Sequence, residues 1–323
     1  MPKNKLISVV ISAYNEQDNV AELYKQLVQQ LQSVKKVDFE FIFVDDGSSD
    51  KTYANCLKLQ QNDERVKIVQ LKRNFGHEIA MTAGMDYAKG DAVIFMDADL
   101  QHPPVYIPQM IELWQKGKEI VLTKRVDNKA TSGLYKFCAK AFYWVLNMLS
   151  ETKIMESAPD FRLIDRKYVD FLKGFNEQDR LFRGLLSWIM PQDNVAIIDF
   201  VAPERFSGES KYNFVKSLRL AVDSILQFSV MPLRLATYLG LVSAFAAFCL
   251  GLYVFIEHFF LHYPTPGYAT IVVSVVFLGS VQLICLGIIG EYIGKIHMEV
   301  KKRPLYMAEY VEKKETKRAQ KNI

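Results

Sequence analysis

The sequence predicts a doubly wound α/β domain followed by two membrane helices, and three observations predict it. Short Val/Ile/Phe-rich runs alternate with longer stretches of helical periodicity from Leu6 to Thr123. Several of those runs end in polar segments rich in acids. Towards the C-terminus two uncharged apolar spans each reach the ~20 residues that a membrane helix requires.

The apolar runs are LISVVISA, FEFIFVDD, VKIVQL, DAVIFMDAD and EIVLT. Helices are expected between them at Gln17–Val34, Asp50–Asn62, Glu78–Ala88 and Tyr106–Lys116. Strands that are apolar without alternation are buried on both faces, which means a mostly parallel sheet covered by helices. In such a sheet ligands bind beyond the C-terminal ends of the strands. SAYNE, DDGSSD, KRNFGHE and DADLQHP are therefore expected on one rim.

Further along, LYKFCAKAFYWVLNML and NFVKSLRLAVDSILQFSVM mix aromatic and aliphatic residues with scattered cations. They predict amphipathic helices at about 132–150 and 212–230, lying in a membrane interface. For the first, a cap on the sheet core is an equal alternative. The uncharged spans run Leu235–Ile256 and Ala269–Gly290, placing membrane helices at about 233–257 and 269–291. The link between them has no Lys or Arg, whereas Lys211, Lys216, Arg219 and Arg234 precede the pair and Lys295 and KKR at 301–303 follow it. The positive-inside rule then sets both termini and the α/β domain in the cytoplasm. The expected organisation is a cytoplasmic domain over 1–230, the helix pair over 231–295 and a solvated basic tail over 296–323.

Composition excludes several classes. A net charge of +4 over 323 residues gives no sign of a nucleic-acid partner. Cys56, Cys138, Cys249 and Cys285 are widely spaced without a C-x-x-C pair, so neither a disulfide framework nor a zinc site is expected. MPKNKLISVVISAYNE reads as a first buried strand, not as a signal peptide.

The chemistry concentrates on the rim. Asp97 and Asp99 form an Asp-x-Asp at a strand end, suited to a hard divalent cation that keeps substrate phosphates in its shell. A helix cap or turn would produce the same tripeptide, so its neighbours matter. VDDGSSD adds two acids, a glycine turn and hydroxyls able to cap the next helix. SAYNE brings an aromatic ring with Asn15 and Glu16, suited to a nucleoside, and KRNFGHE brings Lys72, Arg73 and a helix N-terminus to phosphate. His77 opens that helix as a positioning residue, and His102 is expected behind the metal ligands.

With SAYNE, VDDGSSD, NFGHE, MDADLQHPP, PDFRLIDR, RLFRGLLSW, RFSGESKY, two membrane helices and KKRPLY in this order, the chain resembles the polyprenyl-phosphate glycosyltransferases, inverting enzymes of GT-A fold. The resemblance covers nearly the whole chain. It departs at Ser12, where the family usually has proline. It implies transfer of one sugar from a nucleotide sugar to a polyprenyl phosphate at the cytoplasmic membrane; the two-helix tail favours UDP-glucose as donor, with UDP-galactose, UDP-N-acetylglucosamine and GDP-mannose left open. The implied nucleotide-sugar site is Ser12, Ala13, Tyr14, Asn15, Glu16, Val44, Asp45, Asp46, Arg73, Ala98 and Arg125. Asp97, Asp99 and Gln101 would hold Mg²⁺ or Mn²⁺, Asp99 and Asp160 would be catalytic, and Arg205, Ser210 and Lys211 would hold the acceptor phosphate. Arg125 is equally readable as a solvated charge, and Asp160 as orienting a hydroxyl more than as a base. Expected partners are the membrane, a second copy of the chain and a flippase. Two alternatives stay open: a processive polysaccharide synthase and a catalytically silent membrane scaffold.

Overall fold

The computed structural model describes residues 4–126, 159–175, 177–178, 180–191, 193–201, 203, 229–256 and 267–311. Nearly all of both expected interfacial helices lies outside the described residues. Two compact units are present, one built on a sheet and one a helical pair.

The sheet unit begins with β1 (Lys5–Ala13), α1 (Val20–Leu31), β2 (Val37–Asp45), α2 (Thr52–Asn62), β3 (Val66–Leu71), α3 (His77–Tyr87) and β4 (Ala92–Asp97). It continues through α4 (Ile107–Gln115), β5 (Ile120–Arg125), β6 (Arg162–Asp165), α5 (Arg166–Lys173), α6 (Phe182–Ile189) and β7 (Val195–Phe200). After the helical pair, β8 (Ala308–Val311) rejoins it. Among the described residues these strands form one sheet in the order β7-β5-β6-β4-β1-β2-β3-β8. All ladders are parallel except those of β6 and β8. The expected α/β class holds, and the four helices and five strands read from periodicity are all present.

Alternation along the strands divides the core between two faces. Val9, Ile11, Phe41, Phe43, Ile94 and Met96 pack beneath α1, α2 and α4. Val10, Ile42, Val44, Val93 and Phe95 face α3, α5 and α6. On the second face α3 lies close enough that a Cβ on Gly84 would meet Val10 Cγ1 at 2.2 Å and Val44 Cγ2 at 2.9 Å. Gly84→Ala is therefore expected to destabilise the domain by about 1–3 kcal/mol despite alanine's better helix propensity. Thermal unfolding of the purified variant checks it.

A polar clasp anchors the opposite face. Tyr24 donates to Asp63, and Arg65 Nη2 lies 2.7 Å from the same carboxylate while its guanidinium covers the Phe41 ring. Burial works against the carboxylate, but Arg65 and Tyr24 outweigh it and hold Asp63 down at about 2. A depressed carboxylate stabilises above its ordinary pKa of 3.8 and ceases to as the pH falls through about 2. Asp63→Asn is expected to cost on the order of 2 kcal/mol at neutral pH, and its gap from wild type should close between pH 4 and pH 2 in denaturant titrations.

The C-terminal residues correct the expected basic tail. The second long helix does not stop near residue 291 but runs to Lys301, and it ends where Lys302 adopts φ 46° just before Arg303-Pro304. Ala308–Val311 then pairs antiparallel with β3. Its alternation explains the docking: Ala308 and Tyr310 turn to the α3 face and Val311 to the other. Tyr310 stacks on Tyr87 at 4.6 Å, Lys72 pairs with Glu309 at 2.6 Å, and Gln60 donates to the Val311 carbonyl at 2.6 Å. Net basic composition hid a four-residue strand.

The helical unit consists of α7 (Met231–Ile256) and α8 (Tyr268–Lys301). Tyr292 donates to the Ser229 carbonyl and Cys285 Sγ lies 3.6 Å from the Ala236 carbonyl, so partner numbers fall as the other helix rises and the pair is antiparallel. Met231–Tyr253 and Val273–Lys301 are long and apolar enough to cross a membrane. Phe245 and Leu283 are about 70 % exposed, as lipid-facing residues would be.

Candidate active site

The site follows from strand register. β1 and β4 pair so that Ser12 lies beside Asp97, and β1 and β2 so that Ala13 lies beside Asp45. Residues adjacent in a parallel ladder share a face, so Ser12 and Asp97, continuing Val10 and Phe95, point to α3, whose first residue is His77. Ser12 donates to Asp97 Oδ1 at 2.7 Å, and His77 Nδ1 lies 3.2 Å from the Ser12 hydroxyl and 3.3 Å from Asp97 Oδ1.

These groups form one wall of a cavity at the C-terminal strand ends. Asp97, Ala98 and Asp99 line it from β4 and its loop, and Ser12, Ala13, Tyr14 and Glu16 from β1 and its loop. Asp46, Asn74, Gly76, His77 and Ala80 complete it. Two loops are pinned together behind it. Asp46 accepts the backbone N–H groups of Phe75 and Gly76 at 2.8 and 2.9 Å. Gly47, at φ 67°, is so close to Arg73 that a Cβ would meet its carbonyl carbon at 2.4 Å.

Of the other expected donor residues, Asn15 adopts φ 57° and its side chain accepts the Ser49 N–H at 2.9 Å, tying the first rim loop to the second. Asp45 is buried and accepts the Ser48 N–H, while its Oδ2 has no hydrogen-bond partner among the described residues. Burial pushes the carboxyls of both Asp45 and Asp46 upward. Besides Asn15 and Asp45, three more expected donor residues do not line the cavity. Val44 turns to the opposite face from Asp45 and packs near Gly84, Arg73 lies over the Phe75 ring, and Arg125 is exposed at the end of β5.

Asp97 and Asp99 fit a hard cation. Leu100 adopts φ 62°, and this turn directs the Gln101 N–H to Asp99 Oδ1 at 3.0 Å. Gln101 thus meets the motif through its backbone. Among the described residues no three His, Cys, Asp or Glu side chains converge to cage an ion. Two carboxylates lining one cavity suit a cation that completes its shell with water and phosphate oxygens, as Mg²⁺ does. His102 stands behind them: its Nδ1 accepts the Asp97 N–H at 2.9 Å and its ring stacks on Phe161. Burial lowers its pKa, leaving it neutral.

Asp160 is buried in a cationic nest that sequence reasoning only partly anticipated. Arg162, whose guanidinium lies over the Phe182 ring, donates to Asp160 Oδ1, Arg183 donates to Oδ2 at 2.8 Å, and His77 Nε2 lies 3.2 Å from Oδ2. Burial opposes the charge on Asp160, but Arg162, His77 and Arg183 outweigh it and hold the carboxyl well below its usual range. Burial likewise works against a charged His77, yet Asp97 and Asp160 raise it to about 10. The readable signal for Arg162 is an arginine set between Phe161 and Leu163 in PDFRLIDR. Arg205, Ser210 and Lys211 lie outside the described residues.

A mixed, mostly parallel α/β sheet with acidic loops gathered beyond its strand ends is a GT-A fold. The chain belongs to glycosyl transferase family 2, whose model matches residues 8–172. The model of the GtrB C-terminal hairpin matches residues 231–296. Over 301 residues the chain is 41 % identical to the SfII prophage-derived bactoprenol glucosyl transferase of Shigella flexneri, covering 93 % of this chain and 96 % of that one. It is 39 % identical over 307 residues to a prophage bactoprenol glucosyl transferase homolog of Escherichia coli, covering 95 % and 99 %.

Proposed function

We propose that the protein transfers a single glucose from UDP-glucose to a polyprenyl phosphate at the cytoplasmic leaflet, with inversion and with a divalent cation. The observation that carries this reading is the shared cavity, which Asp97 and Asp99 line together with Tyr14, Glu16 and Asp46. The names of the bactoprenol glucosyl transferases support the sugar and the lipid acceptor.

In this reading Tyr14, Glu16, Asp45 and Asp46 receive the nucleoside. Asp97 and Asp99 would hold Mg²⁺ or Mn²⁺, which when bound neutralises charge on the departing diphosphate as a Lewis acid. An ionised phosphate oxygen of the lipid attacks the anomeric carbon, that carbon–oxygen bond forms, and the bond to UDP breaks. No proton need move, because a lipid phosphate is already ionised near neutral pH. Asp160 agrees with this: bound by two arginines and His77, it is a poor base and serves to orient the reactants. Arg205, Ser210 and Lys211 would receive the lipid phosphate. The two long apolar helices would anchor the enzyme with both termini and the catalytic domain in the cytoplasm, and a flippase would take up the product.

Purified protein given undecaprenyl phosphate, labelled nucleotide sugars and Mg²⁺ or Mn²⁺ is expected to form one organic-soluble glucolipid. EDTA should abolish it. Failure to form a lipid-linked sugar with any donor would sink the proposal, and a polymeric product would replace it with a processive synthase.

A further inference from the structure

We infer that His77 is a positioning residue that spans the donor and acceptor sides of the site, fixing Asp97 and Asp160 relative to each other across the transferred sugar. The inference rests on the proposed transfer reaction and adds to it a residue that contacts both carboxylates. One imidazole places Nδ1 3.3 Å from Asp97 Oδ1 and Nε2 3.2 Å from Asp160 Oδ2. Ser12 locks the first end, since its hydroxyl donates to Asp97 Oδ1 and lies 3.2 Å from Nδ1.

The ring is held from behind as firmly as at its ends. It opens α3, and the residues just before it, Phe75 and Gly76, give their N–H groups to Asp46. Two turns further along the helix, Gly84 presses α3 against Val10 with no space for a methyl group. The helix therefore cannot slide to let the ring follow either carboxylate. A planar ring on a fixed helix sets a separation that a flexible side chain would leave variable. Without it, Asp97 keeps its Ser12 contact and Asp160 its two arginines, but the contact that joins the two carboxylates is lost. A misplacement of ~1 Å between reacting groups costs on the order of 100-fold in rate, so the bridge bears on turnover more than on donor capture.

The test compares wild type with His77→Ala and His77→Gln, using glucolipid formation at saturating donor and acceptor, calorimetric binding of UDP with Mn²⁺, and thermal unfolding. Gln makes one of the two contacts but cannot make both. Expected are kcat values about 10- to 100-fold lower in both variants, with the UDP dissociation constant within about threefold of wild type. If His77→Ala unfolds, the Gln variant of similar size carries the comparison. A kcat within threefold of wild type in a folded His77→Ala overturns the inference, as does full activity in His77→Gln, which would show that one contact suffices. Loss of UDP affinity matching the loss in kcat/KM, with kcat intact, would make His77 a donor ligand instead. These results leave the proposed reaction standing in the wild type, whereas a wild type that forms no glucolipid overturns the reaction and the inference together.

Discussion

Asp99→Asn is expected to lower kcat for glucolipid formation by about 100- to 1,000-fold while leaving the unfolding temperature close to wild type. The carboxylate lines the cavity, and its described hydrogen bond comes from the backbone N–H of Gln101, two residues on. An asparagine oxygen can accept the same bond, so the turn at Leu100 survives. What is lost is an anionic oxygen for the proposed cation, which would stabilise the departing diphosphate. Raising Mn²⁺ should recover part of the activity, because affinity for the ion is the first thing weakened. Initial rates over a metal titration check this, and an unchanged rate at every concentration would exclude Asp99 from the metal site.

The second large effect is on stability. Asp160→Ala is expected to destabilise the catalytic domain by about 3–5 kcal/mol, lowering its unfolding temperature by roughly 6–20 °C for a domain of this size. Arg162 is only 2 % exposed and its charge is balanced by Asp160. Truncating the acid leaves a buried guanidinium without its counter-charge, which costs far more than the lost hydrogen bonds alone. Asp160→Asn keeps the shape and an acceptor and should fall between the two. Arg162→Met made together with Asp160→Ala should recover stability without recovering activity. A double variant less stable than Asp160→Ala would show that the guanidinium contributes chiefly through the Phe182 contact.

Much of this was legible in the residues. Continuous runs such as VVISA and FIFV could only be strands buried on both sides, and their polar endings could only lie at one end of a parallel sheet. That rim contains the cavity, with Ser12, Ala13, Tyr14, Glu16, Asp46, Asp97, Ala98 and Asp99 on its wall. Periodicity did not place Val44, because a motif quoted as a block hides the alternation that sends Val44 and Asp45 to opposite faces. Asn74 and Gly76 lay within the KRNFGHE rim segment without being singled out, and Ala80, one turn into α3, went unnoticed because a small apolar side chain gives no chemical clue. The cationic nest around Asp160 depends on register between β6 and β4, where Arg162 lies beside Phe95. Pairing between strands so far apart in sequence is fixed only by the folded sheet.

The most distant pairing in the catalytic domain concerns β8. Lys72 and Glu309 are separated by 237 positions, and Gln60 reaches a carbonyl 251 positions away. A growing chain lengthens by about 5–20 residues each second, so β3 waits for some tens of seconds with its outer edge unpaired. During that interval both apolar helices are synthesised and can enter the bilayer. Completion of the sheet therefore waits until both long apolar helices have been synthesised. An open strand edge is an invitation to mispairing, and a chain stalled or cleaved within the helical pair would retain that edge. Loss of these few C-terminal residues would expose an unfinished sheet to aggregation or degradation.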